Sequence, residues 1–314
     1  ATYAEDVDNL TDADYSAYFE AADAFNAQVD CLTLHIYDSD GNYLMTRSEK
    51  YDVLKNKNYC MNIDLPEGDY RLIAYGGVEC DKASFSHTAV PAEGSKDSDL
   101  GMKLNDECLI PGNASGKLHD HFYGSLNVKV NKTVKYQFVQ VPMMKNTNHF
   151  RIMLQHLSYE PLDGNDYEFS IIDDNTLFDH NNDLIDNGLV SYTPWDKGKI
   201  VTGSAEIRDD EPVRSITDVQ MAYADMSTSR LMLKRNPKLV VKHIPSDTEI
   251  INIPLNNYLL AFKSGYFSWA GDQEFLDRKS DWQLFFFLDK ANHWAKVYIR
   301  VDNWIVRIND IEMN

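Results

Sequence analysis

Cys31-Leu32-Thr33-Leu34-His35-Ile36-Tyr37-Asp38-Ser39-Asp40-Gly41-Asn42-Tyr43-Leu44-Met45 is the stretch on which the fold turns. Leu32, Leu34 and Ile36 alternate with Thr33, His35 and Tyr37. A period of two sends successive side chains to opposite faces, so these residues predict a half-buried β-strand. Asp40-Gly41 then supplies a hairpin turn, because glycine tolerates the positive φ such turns require. Tyr43-Leu44-Met45 begins the return strand. Asp38, Asp40 and Asn42 resemble the start of a calcium loop, but Gly41 is misplaced and no bidentate acid follows, so the turn reading prevails.

The same pattern recurs on both sides. Upstream, the Ala-rich run from Asp14 to Gln28 predicts a short helix. Downstream, Pro66-Glu67-Gly68-Asp69 predicts a turn, Tyr70 to Tyr75 a strand, and Gly76-Gly77 its stop. Residues 81–117 are polar and rich in Gly, Ser and Pro, and predict long loops with little regular structure. Leu126, Val128 and Val130 alternate, and so do Val134, Tyr136 and Phe138 across an Asn131-Lys132 turn. Pro142 marks the end of a first domain, which divides the chain into 1–144 and 145–314. Beyond it come Phe150, Ile152 and Leu154, then Tyr167, Phe169 and Ile171, then an acidic loop through Asp186. Leu284 to Leu288 reads as a strand buried on both faces. Val297, Ile299 and Val301, then Trp304, Val306 and Ile308, alternate to the end. Many short strands without long amphipathic helices predict an all-β fold of antiparallel β-sandwiches, with two in tandem left open by the residues themselves.

Bulk properties narrow the function. A chain of 314 residues exceeds what one core usually supports, and 43% hydrophobic residues suffice to build two. The formal charge of −19, from 49 acidic and 30 basic residues, excludes nucleic acid as a partner, since phosphate binding needs clustered Lys and Arg. No apolar run approaches the roughly 20 residues of a membrane span. The chain opens with Ala1-Thr2-Tyr3 and no Met, which predicts a removed targeting segment. Cys31, Cys60, Cys80 and Cys108 contain no CxxC pair, and both a disulfide and free thiols remain open.

The search for reactive constellations predicts no catalytic residues, no cofactor site and no metal site. There is no G-x-S-x-G, H-E-x-x-H or G-x-G-x-x-G. Gly112 to Lys117 is one residue short of a phosphate loop and lacks its strand and helix. His119 and His121, two residues apart on a strand, would share a face and could join a metal site given a third ligand; a packed strand edge is the alternative. Asp173, Asp174, Asp179, Asp183 and Asp186 read as a solvated loop. Trp195, Trp269 and Trp282 could form a sugar-stacking platform, with core packing as the alternative.

Eight blocks in order resemble the FimB/Mfa2-type fimbrial subunits of Bacteroidales. Asp23 through Asp30, with the Leu32–Tyr37 strand and Asp38 to Asn42 after it, resembles the family's opening block, and Gly68 to Gly76 its G-x-Y-x-x-x-A-[WY]-G strand. Leu118 to Gly124 is similar to L-x-D-x-[FWY]-Y-G, and Met144 to Asn148 to [LM]-x-R-N-T-N, with Lys145 in place of Arg. Asp174 to Leu184 is similar to D-x-N-G-x-Y-x-x-x-N, with Thr176 in place of Gly. Ser227 to Leu231 resembles S-T-x-R-L, Gln273 to Arg278 Q-E-[YF]-L-D-R, and Trp304 to Asp310 the closing G-W-x-V-R-x-N-D. The resemblance implies two tandem antiparallel β-sandwich domains, transthyretin-like and Greek-key, and no enzyme. It implies a fimbrial base or accessory subunit that partners other fimbrial subunits. It also implies attachment to the outer membrane by lipid on a Cys upstream of Ala1, and assembly by β-strand exchange. Trp304, Ile305, Val306, Arg307 and Ile308 are the expected intersubunit strand. The alternative is a surface or fimbrial-tip adhesin for glycan or protein.

Overall fold

The structure, a computed structural model, describes residues 25–301 and 304–307, apart from 57, 134, 206–215, 262, 264–266, 268 and 292. Of the helix expected over Asp14–Gln28, only α1 (Phe25–Gln28) falls within the described residues. The chain is divided into two compact units. Unit 1 comprises 1–105, 118–147 and 175–187, and unit 2 comprises 106–117, 148–174 and 188–314.

Unit 1 holds a five-stranded antiparallel sheet in the order β2-β1-β3-β6-β7. Its members are β1 (Cys31–Asp38), β2 (Tyr43–Lys50), β3 (Gly68–Gly76), β6 (Phe122–Val130) and β7 (Met143–Lys145). The β1–β2 hairpin turns at Gly41, whose φ is +76°. Asp38 fixes that turn by accepting the amide hydrogens of Asp40 and Asn42 at 2.9 and 2.8 Å. A three-stranded sheet, β10-β5-β4, completes the unit from β4 (Phe85–His87), β5 (Met102–Leu104) and β10 (Leu177–Phe178).

Strand β1 is buried at every residue from Cys31 to Tyr37, not half-buried. Leu32, Leu34 and Ile36 pack with Val29, Leu54, Leu72 and Ala74, while His35 on the opposite face meets His87 of β4 at a ring distance of 4.9 Å. The alternation in sequence therefore separates two interiors of different polarity rather than core from water. The covering strands β4 and β5 arise from residues 81–117, the stretch read as loop; at three residues each they are too short to show a period. Residues 131–142, read as partly strand through Tyr136 and Phe138, form no strand among the described residues.

Unit 2 holds two sheets. The four-stranded sheet runs β11-β9-β14-β15, from β9 (Tyr167–Asp173), β11 (Val190–Tyr192), β14 (Lys238–His243) and β15 (Thr248–Pro254). The six-stranded sheet runs β12-β13-β8-β16-β17-β18. It contains β8 (Thr147–His156, of which Thr147 belongs to unit 1), β12 (Asp196–Ala205), β13 (Ile216–Ser229), β16 (Asp281–Leu288), β17 (Trp294–Val301) and β18 (Trp304–Arg307). Alternate residues of β9, β8 and β16 are buried, as their apolar periods require. On β16 one face is fully buried and the other, with Phe285 and Phe287, half-buried. Strand β16 pairs with β8 in parallel, a departure from the expected all-antiparallel sheets. Two seven-residue helices, α2 (Leu255–Ala261) and α3 (Asp272–Arg278), precede β16. The fold class is all-β with few short helices, as anticipated.

Candidate functional site

The sequence points to a strand edge as the candidate surface. Strand β18 closes one edge of the six-stranded sheet and pairs antiparallel with β17, Tyr298 opposite Arg307 and Val301 opposite Trp304. Trp304, Ile305, Val306 and Arg307 of the expected intersubunit strand are thus an edge strand, and Ile308 lies outside the described residues. An edge strand presents a row of backbone donors and acceptors to any extended chain of matching length. At the opposite edge, β12 exposes Ile200 and Val201.

A second surface lies in a run whose alternation predicts strand but which forms none among the described residues. Residues 135–141 run without a ladder, and Tyr136 and Phe138 are 73% and 84% exposed. Gln137 ties the segment down by donating to the Lys129 carbonyl at 3.0 Å. A β-prone run with large apolar side chains in water costs free energy unless something covers it.

The family-like blocks turn out to build the scaffold. Asn146 is fully buried in unit 1, where it exchanges hydrogen bonds with Asn182, donating at 2.6 Å and accepting at 3.0 Å. Its backbone amide donates to the His121 carbonyl at 2.7 Å. Asp120 bridges Lys145 and Thr147, each at 3.0 Å. In unit 2, Arg230 meets Asp277 in a two-pronged ion pair at 2.7 and 2.8 Å, both side chains buried. That pair joins the Ser227–Leu231 block to the Gln273–Arg278 block.

His119 and His121 do not share a face, because residues 118–121 are not strand. His119 points to Asp30, with 3.0 Å between Nε2 and Oδ1. His121 is wholly buried and stacks on Phe85 at 4.5 Å. Burial holds the imidazoles of His121 and His35 neutral, with their pKa lowered to about 3. His87 is lowered too, by the same loss of water.

In the acidic loop, Asp179 is occupied with the amides of Asn181 and Asp183, and Asp174 pairs with Arg235. Trp282 is core, donating from its indole to Asn148 at 3.1 Å. Trp195 and Trp269 are half-buried beneath Lys117 and Arg278, which lie 4.7 and 5.3 Å from the ring centres. Cys31 and Cys80 form a disulfide, in which Cys60 and Cys108 take no part.

Two all-β units, each holding two sheets, define a β-sandwich protein. The chain belongs to the fimbrillin-A associated anchor proteins Mfa1 and Mfa2, whose family model matches residues 8–310. This is a family of fimbrial structural and anchor proteins rather than enzymes, and membership implies association with other fimbrial subunits. Among solved structures, a candidate adhesin from Bacteroides thetaiotaomicron is similar at 43% identity and TM-score 0.81, covering 91% of this chain and 92% of that one. A candidate polysaccharide-binding protein from the same species is 31% identical with TM-score 0.75, covering 93% and 94%. The fimbrial anchor protein Mfa2 from Porphyromonas gingivalis shares the fold at 15% identity and TM-score 0.60, covering 90% and 91%. No curated protein matches the chain.

Proposed function

We propose that this chain is a lipid-anchored base or accessory subunit that attaches a surface fimbria to the outer membrane and joins neighbouring subunits by β-strand exchange. Family membership supports the fimbrial role, and one observation supports the mode of assembly. The six-stranded sheet ends at β18, a four-residue strand whose outer side carries no ladder among the described residues. An incoming strand could extend that sheet, or β18 could leave it to complete another. We take residues 1–144 and 145–314 as the principal runs of the two domains. Hydrogen exchange should then show one cooperative block in β1, β3 and β6 and another in β9, β14 and β16; a single block spanning both would remove that division.

The test uses cells expressing the full-length precursor. Removing residues 304–314 should abolish co-purification with fimbrial subunits while the protein still reaches the membrane. Labelled fatty acid should enter the precursor and be lost when its lipid-accepting Cys is changed to Ser. Unchanged assembly after the truncation refutes strand exchange, and release of unlipidated protein into the medium refutes the anchor.

A second reading, a surface or tip adhesin, draws on the 43%-identical candidate adhesin and the 31%-identical candidate polysaccharide binder. Glycan-array binding by the purified chain, lost in Trp195→Ala but not in Trp195→Phe, would favour it.

A further inference from the structure

Asp30, Cys31, Cys80 and His119 come together in unit 1 from three segments: the start of β1, the turn after β3 and the run before β6. Asp30 Oδ1 lies 3.0 Å from His119 Nε2, 3.4 Å from Cys31 Sγ and 3.7 Å from Cys80 Sγ. Around a tetrahedral zinc ion, neighbouring ligand atoms stand about 3.3 Å apart for nitrogen and oxygen and about 3.6 Å apart for sulfur and oxygen, given bonds of about 2.0–2.3 Å. The three measured edges are close to those lengths. The ligand atoms of Asp30, Cys80 and His119 all lie within 4.8 Å of one another, and the two sulfurs are bonded to each other in the disulfide.

The backbone fixes all three segments. Gly77 donates to the Cys31 carbonyl at 3.0 Å and Tyr51 to the Asp30 carbonyl at 2.7 Å. The His119 amide donates to Ser84 Oγ at 2.8 Å. Gly77 cannot be replaced cheaply: its φ is +76°, and a Cβ there would lie 1.8 Å from the Asp120 carbonyl oxygen. Access is open on one side, since the His119 and Asp30 side chains are 21% and 40% exposed, while Cys31 is buried.

We propose that reduction of the Cys31–Cys80 disulfide creates a zinc site of two thiolates, the His119 imidazole and the Asp30 carboxylate. A dithiol supplies the two electrons and two protons: the Sγ–Sγ bond breaks, Cys31 and Cys80 become thiols, and the reductant closes to its own disulfide. Zinc then displaces both thiol protons to solvent and takes a lone pair from His119 Nε2 and from Asp30 Oδ1. Two soft sulfurs with an imidazole and a carboxylate suit a tetrahedral divalent ion. Unit 1 is thereby closed by one of two cross-links through the same cysteines, covalent when oxidised and metallic when reduced.

Cobalt(II) is the probe. The full chain carrying Cys60→Ser and Cys108→Ser is reduced with dithiothreitol and desalted without oxygen. Expected is one equivalent of cobalt with thiolate-to-metal charge-transfer and tetrahedral d–d absorption, displaced by one equivalent of zinc, and neither band in the oxidised chain. His119→Gln and Asp30→Asn change half-exposed side chains; in the reduced chain each should weaken cobalt binding about tenfold or more. Near-UV circular dichroism follows the fold throughout. Equal affinity in His119→Gln, identical bands in the oxidised protein, or a reduced chain that loses its near-UV signal and does not regain it with zinc would each overturn the site.

Discussion

The two units solve the same packing problem with different chemistry. In unit 1 one interior layer is polar and aromatic: Tyr75 lies 5.3–5.9 Å, ring to ring, from His35, His87 and His121. The hydroxyls of Tyr37 and Tyr75 and the Nε2 of His121 have no hydrogen-bond partner among the described residues. In unit 2 the corresponding rows are Phe150, Ile152 and Leu154 with Trp282, Leu284 and Phe286, and the buried polar groups include a paired charge, Arg230–Asp277. An unpaired polar group in a core costs stability, and a neutral imidazole there couples the fold to pH. The contrast teaches that two all-β units of one chain need not respond equally to acid.

The largest expected effect breaks that contrast by pH. His35 and His121 titrate near 3 when folded and near 6.5 when unfolded, so the unfolded state binds more protons as pH falls below 6.5. Stability from these two groups is therefore complete above pH 6.5 and lost progressively towards 3. At pH 4.5 the loss is about 3 kcal/mol for each group. Amide exchange in β1 and β3 should accelerate between pH 6.5 and 4.5 after correction for intrinsic rates. His121→Phe should remove about half of the effect. Equal acceleration in β9 and β14 would erase the distinction between the units.

Next in size is the ion pair of unit 2. Arg230→Met leaves Asp277 charged and buried, at a cost of about 3–5 kcal/mol in urea unfolding. The double change Arg230→Met with Asp277→Leu should recover most of it, because apolar replacement of both partners removes the desolvation penalty as well. A double variant no more stable than the single one would show that the charges themselves hold the two motif blocks together.

Much of the fold was legible in the sequence. The β1–β2 hairpin, β9 and β16 each carry enough residues for their period to show, and Asp-Gly announces its turn. What was hidden depends on partners distant in sequence. Strands β4 and β5 exist because they cover the His35 face of β1, and nothing local marks them. The parallel register of β8 with β16 joins residues more than a hundred positions apart. The same holds for the site: Trp304–Arg307 could be recognised as a strand, but its place at a sheet edge comes only from the order of strands in space. Cys31 and Cys80 were equally open to pairing or freedom until β1 and the turn after β3 placed them together. His119 and His121 would share a face only on a strand, whereas β6 begins at Phe122.

A smaller effect sharpens the comparison within unit 2. Asp173 ends β9, and burial raises its carboxyl to about 6. A raised acid keeps its proton when folded, so its contribution to stability falls as pH rises from 3.8 to about 6 and is flat above. Asp173→Asn imitates the protonated form and retains an oxygen for the Asp174 amide, which now donates to Asp173 at 2.9 Å. The variant should gain about 1–3 kcal/mol at pH 7.5 and nothing below pH 4. A gain independent of pH would assign it to packing instead.

The smallest effect on stability carries the most information about function. Phe138 and Tyr136 touch little of unit 1, so Phe138→Ser and Tyr136→Ser should shift the urea midpoint by less than about 0.5 kcal/mol. If the 135–141 run meets another subunit, the same changes remove the apolar anchors of that contact, and truncating buried aromatic anchors is what most weakens interfaces. Co-purification with fimbrial subunits should then fall severalfold while the chain's own melting temperature stays put. A large loss of stability would place the two rings in a core that the unit keeps for itself. Unchanged stability together with unchanged association would leave β18 as the surface that has to account for assembly.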